Sequence, residues 1–168
     1  MKIIIGSDHA GFKLKESLIP FLKELGHDVH DCGPEKYVEG DDYPEFIAPV
    51  AQLVSKNPEI VKGIVIGSSG QGEAIVANKF PHIRAAVYYG FGTEMSQSEK
   101  ASIEALSAMK IIELSRLHND ANILSLGAKF MNEHEGKAAV KLWLETPFSG
   151  EDRHKRRIDE IEHLKIHG

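Results

Sequence analysis

The stretch VIGSSGQGEAIVANKF, residues 65–80, decides the fold. An apolar β-branched run leads into a turn with glycines at 67, 70 and 72, and the residues after the turn have a helical pattern. Parallel α/β sheets are built from this unit of strand, glycine-rich turn and helix. Glu73 stands where the helix begins, and its carboxylate would repel a phosphate held by the turn. The turn therefore raises the question of which part of a ligand it receives.

The rest of the chain repeats the alternation of short β-rich runs with longer helical patterns. Strands are predicted at 2–6, 27–33, 62–67, 83–89 and 121–127. Helices are predicted at 12–26, 44–56, 73–80, about 94–117, 133–145 and about 151–165. Several of the strands are apolar on both faces, as buried parallel strands are. The pattern predicts a Rossmann-like α/β fold, a doubly wound parallel sheet of about five strands with helices on both faces.

Length and composition limit the classes of protein that fit. A chain of 168 residues without a linker or repeat is expected to form one domain, 1–168. It has neither an apolar run of membrane-spanning length nor a leader pattern, so a cytoplasmic location is expected. The single cysteine, Cys32, excludes an intramolecular disulfide and a C-x-x-C pair. A net charge of −5 argues against general nucleic-acid binding.

Ligands of open α/β sheets bind outside the carboxyl ends of the strands. The candidates are therefore the residues that follow the strands: Ser7, Asp8 and His9, then Gly67 to Glu73, then Gly127 to Lys129. His118 and Asn119 precede the fifth strand, so their placement stays open. The order of glycines in GSSGQG fits neither the dinucleotide fingerprint nor a Walker A loop, which argues against NAD and NTP. The turn suits an anionic oxygen, and a tight turn without a ligand is the alternative.

Five collinear motifs together resemble one family over nearly the whole chain: GSDHAGFKLK, DYP at 42–44, GSSGQGEAIVANKFPHIRAA, RLHNDANILSLGAK and FSGEDRHKRRIDEIE. The chain resembles the ribose-5-phosphate isomerase B family, which includes the galactose-6-phosphate isomerase subunits. The resemblance implies a Rossmann-like fold and interconversion of aldose and ketose phosphates without a metal or organic cofactor. It also implies homodimers or homotetramers whose active sites are shared between subunits.

The family has two active-site variants, and the resemblance places this chain in the one whose base is a glutamate, matching Glu73. The other variant has a cysteine at the position of Gly67. Isomerisation through an enediolate needs a base near the reacting carbon and donors for the developing oxyanion. The N–H groups of Gly70, Gln71 and Gly72 suit the second task. A helix N-terminus is expected to lower the pKa of Glu73, and an acid that merely stabilises the helix is the alternative.

Other family positions complete the expected site at the reacting end of the sugar. The resemblance implies that His118 moves the protons of ring opening, with Asp8 close by. An imidazole suits that task because its ordinary pKa lies near neutrality. Ser68 matches a residue beside the reacting end, and Tyr43 and Asn119 match positions that contact the substrate.

The resemblance assigns the phosphate to the C-terminal helix. Arg153 and Arg157 are four residues apart, so they share one helix face and can grip a dianion, with His9 beside them. A solvated helix surface is the alternative for this basic run. Lys129 stands where some members have a phosphate-binding arginine, and whether a lysine makes that contact stays open.

The sequence therefore predicts an enzyme that interconverts ribose 5-phosphate and ribulose 5-phosphate. The alternatives are an isomerase of a six-carbon sugar phosphate, such as allose 6-phosphate or galactose 6-phosphate, and a phosphosugar-binding module without turnover. The segment near 91–110 is longer than the family pattern and is predicted to be an insertion that contacts a partner subunit. The sequence leaves open the choice between dimer and tetramer.

Overall fold

The computed structural model of the protein describes residues 1–90 and 109–164. Five strands are present in these ranges: β1 (Lys2–Ser7), β2 (Asp28–Asp31), β3 (Val61–Gly67), β4 (Ala85–Tyr88) and β5 (Ile123–Gly127). They form one sheet in the order β2-β1-β3-β5-β4, and every neighbouring pair is parallel. The predicted doubly wound parallel sheet is confirmed.

Helices alternate with the strands as the sequence predicts. Their bounds are α1 (Phe12–Glu24), α2 (Tyr43–Ser55), α3 (Gln71–Ala77), α4 (described over 109–117), α5 (Glu133–Glu145) and α6 (Asp152–Glu162), with a short 3-10 helix at Ala128–Phe130. Gly26 closes the end of α1 with a positive φ of 82°. Most of the predicted helix at 94–117, and most of the predicted insertion near 91–110 with its subunit contact, lie outside the described residues. Within the described ranges, no helix has the length and apolar character needed to cross a membrane.

The two faces of the sheet pack against different helices. Leu18 of α1 and Trp143 of α5 belong to the apolar cluster on one face, and Val50 of α2 and Ala77 of α3 belong to the cluster on the other. Every residue of β3 is buried because this central strand is covered on both faces.

The order of the strands determines where a crevice opens. The chain passes from β1 to β2 in one direction along the sheet, then crosses back over β1 to β3. The connections after β1 and β3 therefore leave on opposite sides, and their carboxyl ends open a crevice at this switch point. Asp8 follows β1 and the glycine turn follows β3, so both border the crevice.

Candidate active site

Most of the predicted site residues lie at the carboxyl edge of the sheet, and together they are called the glutamate half. This half comprises Asp8, His9, Tyr43, Gly67, Ser68, Gly70, Gln71, Gly72, Glu73 and Lys129. The backbone N–H of Lys129 donates to the carbonyl of Ser68 over 3.1 Å, which fixes the end of β5 beside the glycine turn. Ser68, Gln71 and Lys129 are exposed, whereas Asp8 and Glu73 are buried.

Glu73 lies in the first turn of α3 and is only 4% exposed. Its carboxylate lies over Gly67, so a Cβ at position 67 would overlap it. Burial is the main cause that raises the pKa of Glu73; Asp8 raises it further, and a hydrogen bond to its own backbone N–H opposes the shift. The expected lowering of this pKa was wrong because burial outweighs the helix N-terminus. A raised pKa makes the carboxylate a stronger base.

The glycine turn is held by the neighbouring strand. Gly70 has a φ of 76°, and its carbonyl oxygen accepts a hydrogen bond of 2.6 Å from the fully buried hydroxyl of Ser125. The N–H of Gln71 donates to Ser69 Oγ over 3.3 Å, a long contact that a stronger acceptor can replace. Sequence reasoning did not find Ser125, although a serine in the otherwise apolar run ILSLG was an available signal.

Tyr43 is brought to the turn from the first residue of α2. A Cβ at Gly72 would lie 2.8 Å from the Tyr43 hydroxyl oxygen, so the ring packs directly on the turn. A side chain at 72 would therefore displace the Tyr43 ring from the glycine turn.

His9 is oriented by a residue that sequence reasoning missed. Asp41 Oδ1 accepts the backbone N–H of His9 and contacts its ring Nδ1, both at 2.8 Å. This hydrogen bond is the main cause that raises the pKa of His9, with smaller contributions from the charges of Asp8 and Asp41. The ring is therefore biased toward its cationic form and leaves Nε2 free for an anion.

The remaining predicted residues form a second group, called the arginine half: His118, Asn119, Arg153 and Arg157. The His118 ring lies 4.3 Å from that of buried His154, whose Nδ1 contacts Ser149 Oγ at 2.8 Å. Burial, followed by the neighbouring charges of His118 and Arg153, lowers the pKa of His154.

Both arginines of this half are exposed on α6. The Nε atom of Arg153 contacts Glu151 at 2.8 Å. Arg157, in contrast, has no carboxylate within 4.0 Å among the residues that the structure describes. The two side chains are one helical turn apart and available to an external anion.

The two halves lie at opposite edges of one sheet. His118 and Asn119 precede the amino end of β5, whereas the glycine turn follows the carboxyl end of β3, with Gly67 level with Gly127. A strand of five to seven residues separates the edges, which is roughly 15–20 Å. A single chain therefore does not bring Glu73 together with His118, Arg153 or Arg157.

The other reactive groups of the described chain do not compete with Glu73. Burial raises the pKa of the Cys32 thiol to about 11, so the thiolate is scarce at neutral pH. Among the described residues, no three His, Cys, Asp or Glu side chains are grouped so that they could hold a metal ion.

Fold and site together define a Rossmann-like α/β protein with a buried carboxylate of raised pKa beside a glycine turn, which is the kind of group that marks a candidate active site. Comparison with known proteins makes the assignment specific. Residues 3–161 match the family described as Ribose/Galactose Isomerase. The chain belongs to this family.

Individual relatives agree with this assignment. The chain is 37% identical to ribose-5-phosphate isomerase B of Mycolicibacterium paratuberculosis over 159 residues, covering 95% of this chain and 88% of that protein. The corresponding protein of Escherichia coli K12 is 36% identical over 160 residues, covering 95% and 93%. A crystal structure of ribose-5-phosphate isomerase B from Mycoplasma genitalium with bound ribulose-5-phosphate superposes with a TM-score of 0.82 at 34% identity, covering 96% and 93%. The predicted family is confirmed.

Proposed function

We propose that the protein interconverts ribose 5-phosphate and ribulose 5-phosphate, with Glu73 as the base. The observation that carries the proposal is the buried Glu73 carboxylate of raised pKa, lying over Gly67 beside the glycine turn. The relatives named as ribose-5-phosphate isomerase B and the related structure with bound ribulose-5-phosphate support a five-carbon substrate.

The chemistry follows from the residues of the glutamate half. Glu73 takes the proton from carbon 2 of the open-chain aldose and returns it to carbon 1 of the enediolate, while the hydroxyl proton of oxygen 2 passes to oxygen 1. The N–H groups of Gly70, Gln71 and Gly72 lie at the N-terminus of α3 and stabilise the oxyanion that develops meanwhile. Gln71 exchanges its long bond to Ser69 for the charged oxygen. Tyr43 and Ser68 border the same end of the substrate.

The arginine half supplies the remaining steps in this proposal. His118 moves the protons of ring opening, since an imidazole can both donate and accept a proton, and Asn119 contacts the sugar. Arg153 and Arg157 hold the phosphate dianion by charge-assisted hydrogen bonds. His9, which belongs to the glutamate half, adds a third cationic contact to the phosphate, because its hydrogen bond to Asp41 raises its pKa.

The separation of the halves implies how the site is completed. An edge-to-edge distance of roughly 15–20 Å exceeds the reach of a five-carbon phosphate. We therefore propose a homo-oligomer in which the glutamate half of one subunit faces the arginine half of another. Two complete sites arise per pair of subunits, since a two-fold interface repeats each contact.

Mixing inactive variants tests both parts of the proposal. Glu73→Gln and His118→Ala proteins, each alone, should convert ribose 5-phosphate to ribulose 5-phosphate at least 10²-fold more slowly than wild type. After unfolding and refolding together in equal amounts, random pairing gives hybrids with one intact site, so about a quarter of the wild-type activity should return.

The matched control is a mixture of His118→Ala with Arg157→Ala. Both changes lie in the same half, so no hybrid contains an unaltered arginine half, and the activity should not exceed the average of the two parents. The shared site would be eliminated if native mass spectrometry shows that hybrids form and the Glu73→Gln and His118→Ala mixture nevertheless stays inactive. A folded Glu73→Gln protein with wild-type turnover would eliminate Glu73 as the base.

A further inference from the structure

Arg84 connects two parts of the arginine half that are far apart in sequence. Its Nε donates to the carbonyl of Asn119 at 3.0 Å, and Nη2 binds the Asp120 carboxylate at 3.1 Å. On its other side, Nη1 donates to Glu162 Oε1 at 3.1 Å. The side chain is only 12% exposed. One guanidinium group thus joins the corner that carries His118 to the last residue of α6.

Glu162 is the counterpart of this connection on the helix. Its second carboxylate oxygen contacts His82 Nδ1 at 2.8 Å, so each oxygen has a cationic or donor partner. His154, Ile158 and Glu162 recur every four residues and are the least exposed positions of α6, so they form its inner face. Each exposed arginine, Arg153 or Arg157, immediately precedes one of these inner residues and lies on the flank of the helix.

We infer that Arg84 and Glu162 are positioning residues that hold Arg157 at a fixed place relative to His118. The inference rests on the proposed function, in which Arg157 binds the substrate phosphate. The His154–Ser149 contact fixes the first turn of α6 and hence Arg153. The last two turns depend on Ile158 and on the Arg84–Glu162 link, so loss of the link displaces Arg157 more than Arg153.

A positioning role and a simple charge effect predict opposite changes in phosphate binding when the Glu162 charge is removed. Glu162 is an acid on the helix that carries the phosphate arginines, and removing its charge makes the surrounding potential more positive. If charge alone mattered, phosphate would then bind more tightly. If Glu162 positions Arg157, phosphate binds more weakly.

The test is a double-mutant cycle of Glu162→Gln with Arg157→Ala in the full-length assembled protein. Competitive inhibition by inorganic phosphate is the probe, with KM and kcat for ribose 5-phosphate measured alongside. Glu162→Gln should weaken phosphate inhibition and raise KM by roughly two- to tenfold, while kcat stays within about twofold. In the Arg157→Ala background the same change should have no further effect, because Arg157 is no longer present to be positioned.

Glu160→Gln is the matched control, since Glu160 is an exposed acid on the same helix with only a 3.7 Å contact to Arg156. It removes the same charge and should leave phosphate inhibition unchanged or slightly stronger. Arg84→Lys should reproduce the Glu162→Gln effect, because a lysine cannot reach Asn119, Asp120 and Glu162 together. Thermal unfolding and light scattering check that each variant keeps its fold and mass.

Two results would overturn the inference: unchanged phosphate inhibition in Glu162→Gln, or an equal loss in the wild-type and Arg157→Ala backgrounds. If phosphate inhibition is weaker in Arg157→Ala than in wild type, either result leaves the proposed function standing. Unchanged phosphate inhibition in Arg157→Ala would instead overturn both the inference and the proposed phosphate site.

Discussion

Replacing Ser125 with alanine tests whether β5 holds the glycine turn. The Ser125 hydroxyl is fully buried and donates to the carbonyl of Gly70 at 2.6 Å. After its loss the Gly70 carbonyl still accepts the N–H of Ala74 at 3.1 Å, so the cost is that of one hydrogen bond, about 0.5–1.5 kcal/mol. At about 2.1 cal/mol/K per residue, a chain of 168 residues has an unfolding entropy of about 0.35 kcal/mol/K. The melting temperature should therefore fall by about 1–4 °C.

The same change should reduce turnover because the turn carries the N–H groups that we propose stabilise the oxyanion. A displacement of about 1 Å in such a group can cost about 10²-fold in rate, so a loss of at least tenfold in kcat is expected. Thermal unfolding at fixed protein concentration and steady-state isomerisation of ribose 5-phosphate measure the two effects.

Ser7→Ala is the matched control for this measurement. Ser7 is equally buried at the end of β1, but its hydroxyl has no hydrogen-bond partner among the described residues. Removing it should leave stability unchanged or slightly raised. If Ser125→Ala and Ser7→Ala melt at the same temperature, Ser125 does not hold the turn, and the reasoning fails.

Two further predictions concern the glutamate half. Gly67→Ala places a Cβ where the Glu73 carboxylate lies. The carboxylate must then move, so kcat should fall by about 10²-fold in a folded protein. A kcat within threefold of wild type would contradict the geometry. Asp41→Asn removes the main cause that raises the pKa of His9, so His9 should lose its positive charge at a lower pH than in wild type. Inhibition by inorganic phosphate, measured from pH 5 to 9, should therefore weaken at a lower pH in the variant. Coincident pH profiles for the two proteins would show that Asp41 does not control the charge of His9.

The sequence was sufficient to predict the fold because its signals are local. Each strand and helix is encoded by the period of its own apolar residues, and the central run KGIVIG is apolar enough to identify a buried strand. The glycine turn and Glu73 were found for the same reason, since turn, helix start and acid are adjacent in sequence.

The properties missed by sequence reasoning depend on contacts between distant residues. Asp41 orients His9 across 32 positions, and Arg84 meets Glu162 across 78. The pKa of Glu73 was predicted with the wrong sign because the helix N-terminus is visible in the sequence, whereas the depth of burial is created only by packing. The placement of His118 required the sheet topology, which determines at which edge a residue preceding a strand lies.

The overlap at Gly67 also constrains how such a site can change over generations. The space above residue 67 accommodates either a side chain of that residue or the carboxylate of Glu73. A lineage that exchanges a glutamate at 73 for a cysteine at 67 therefore cannot pass through an ancestor with both groups in their working positions. It must first lose one base or displace it, so the intermediate sequence is catalytically impaired. Gene duplication, which preserves one working copy, removes that barrier, and the two chemistries are thus expected to persist as separate branches rather than to interconvert freely.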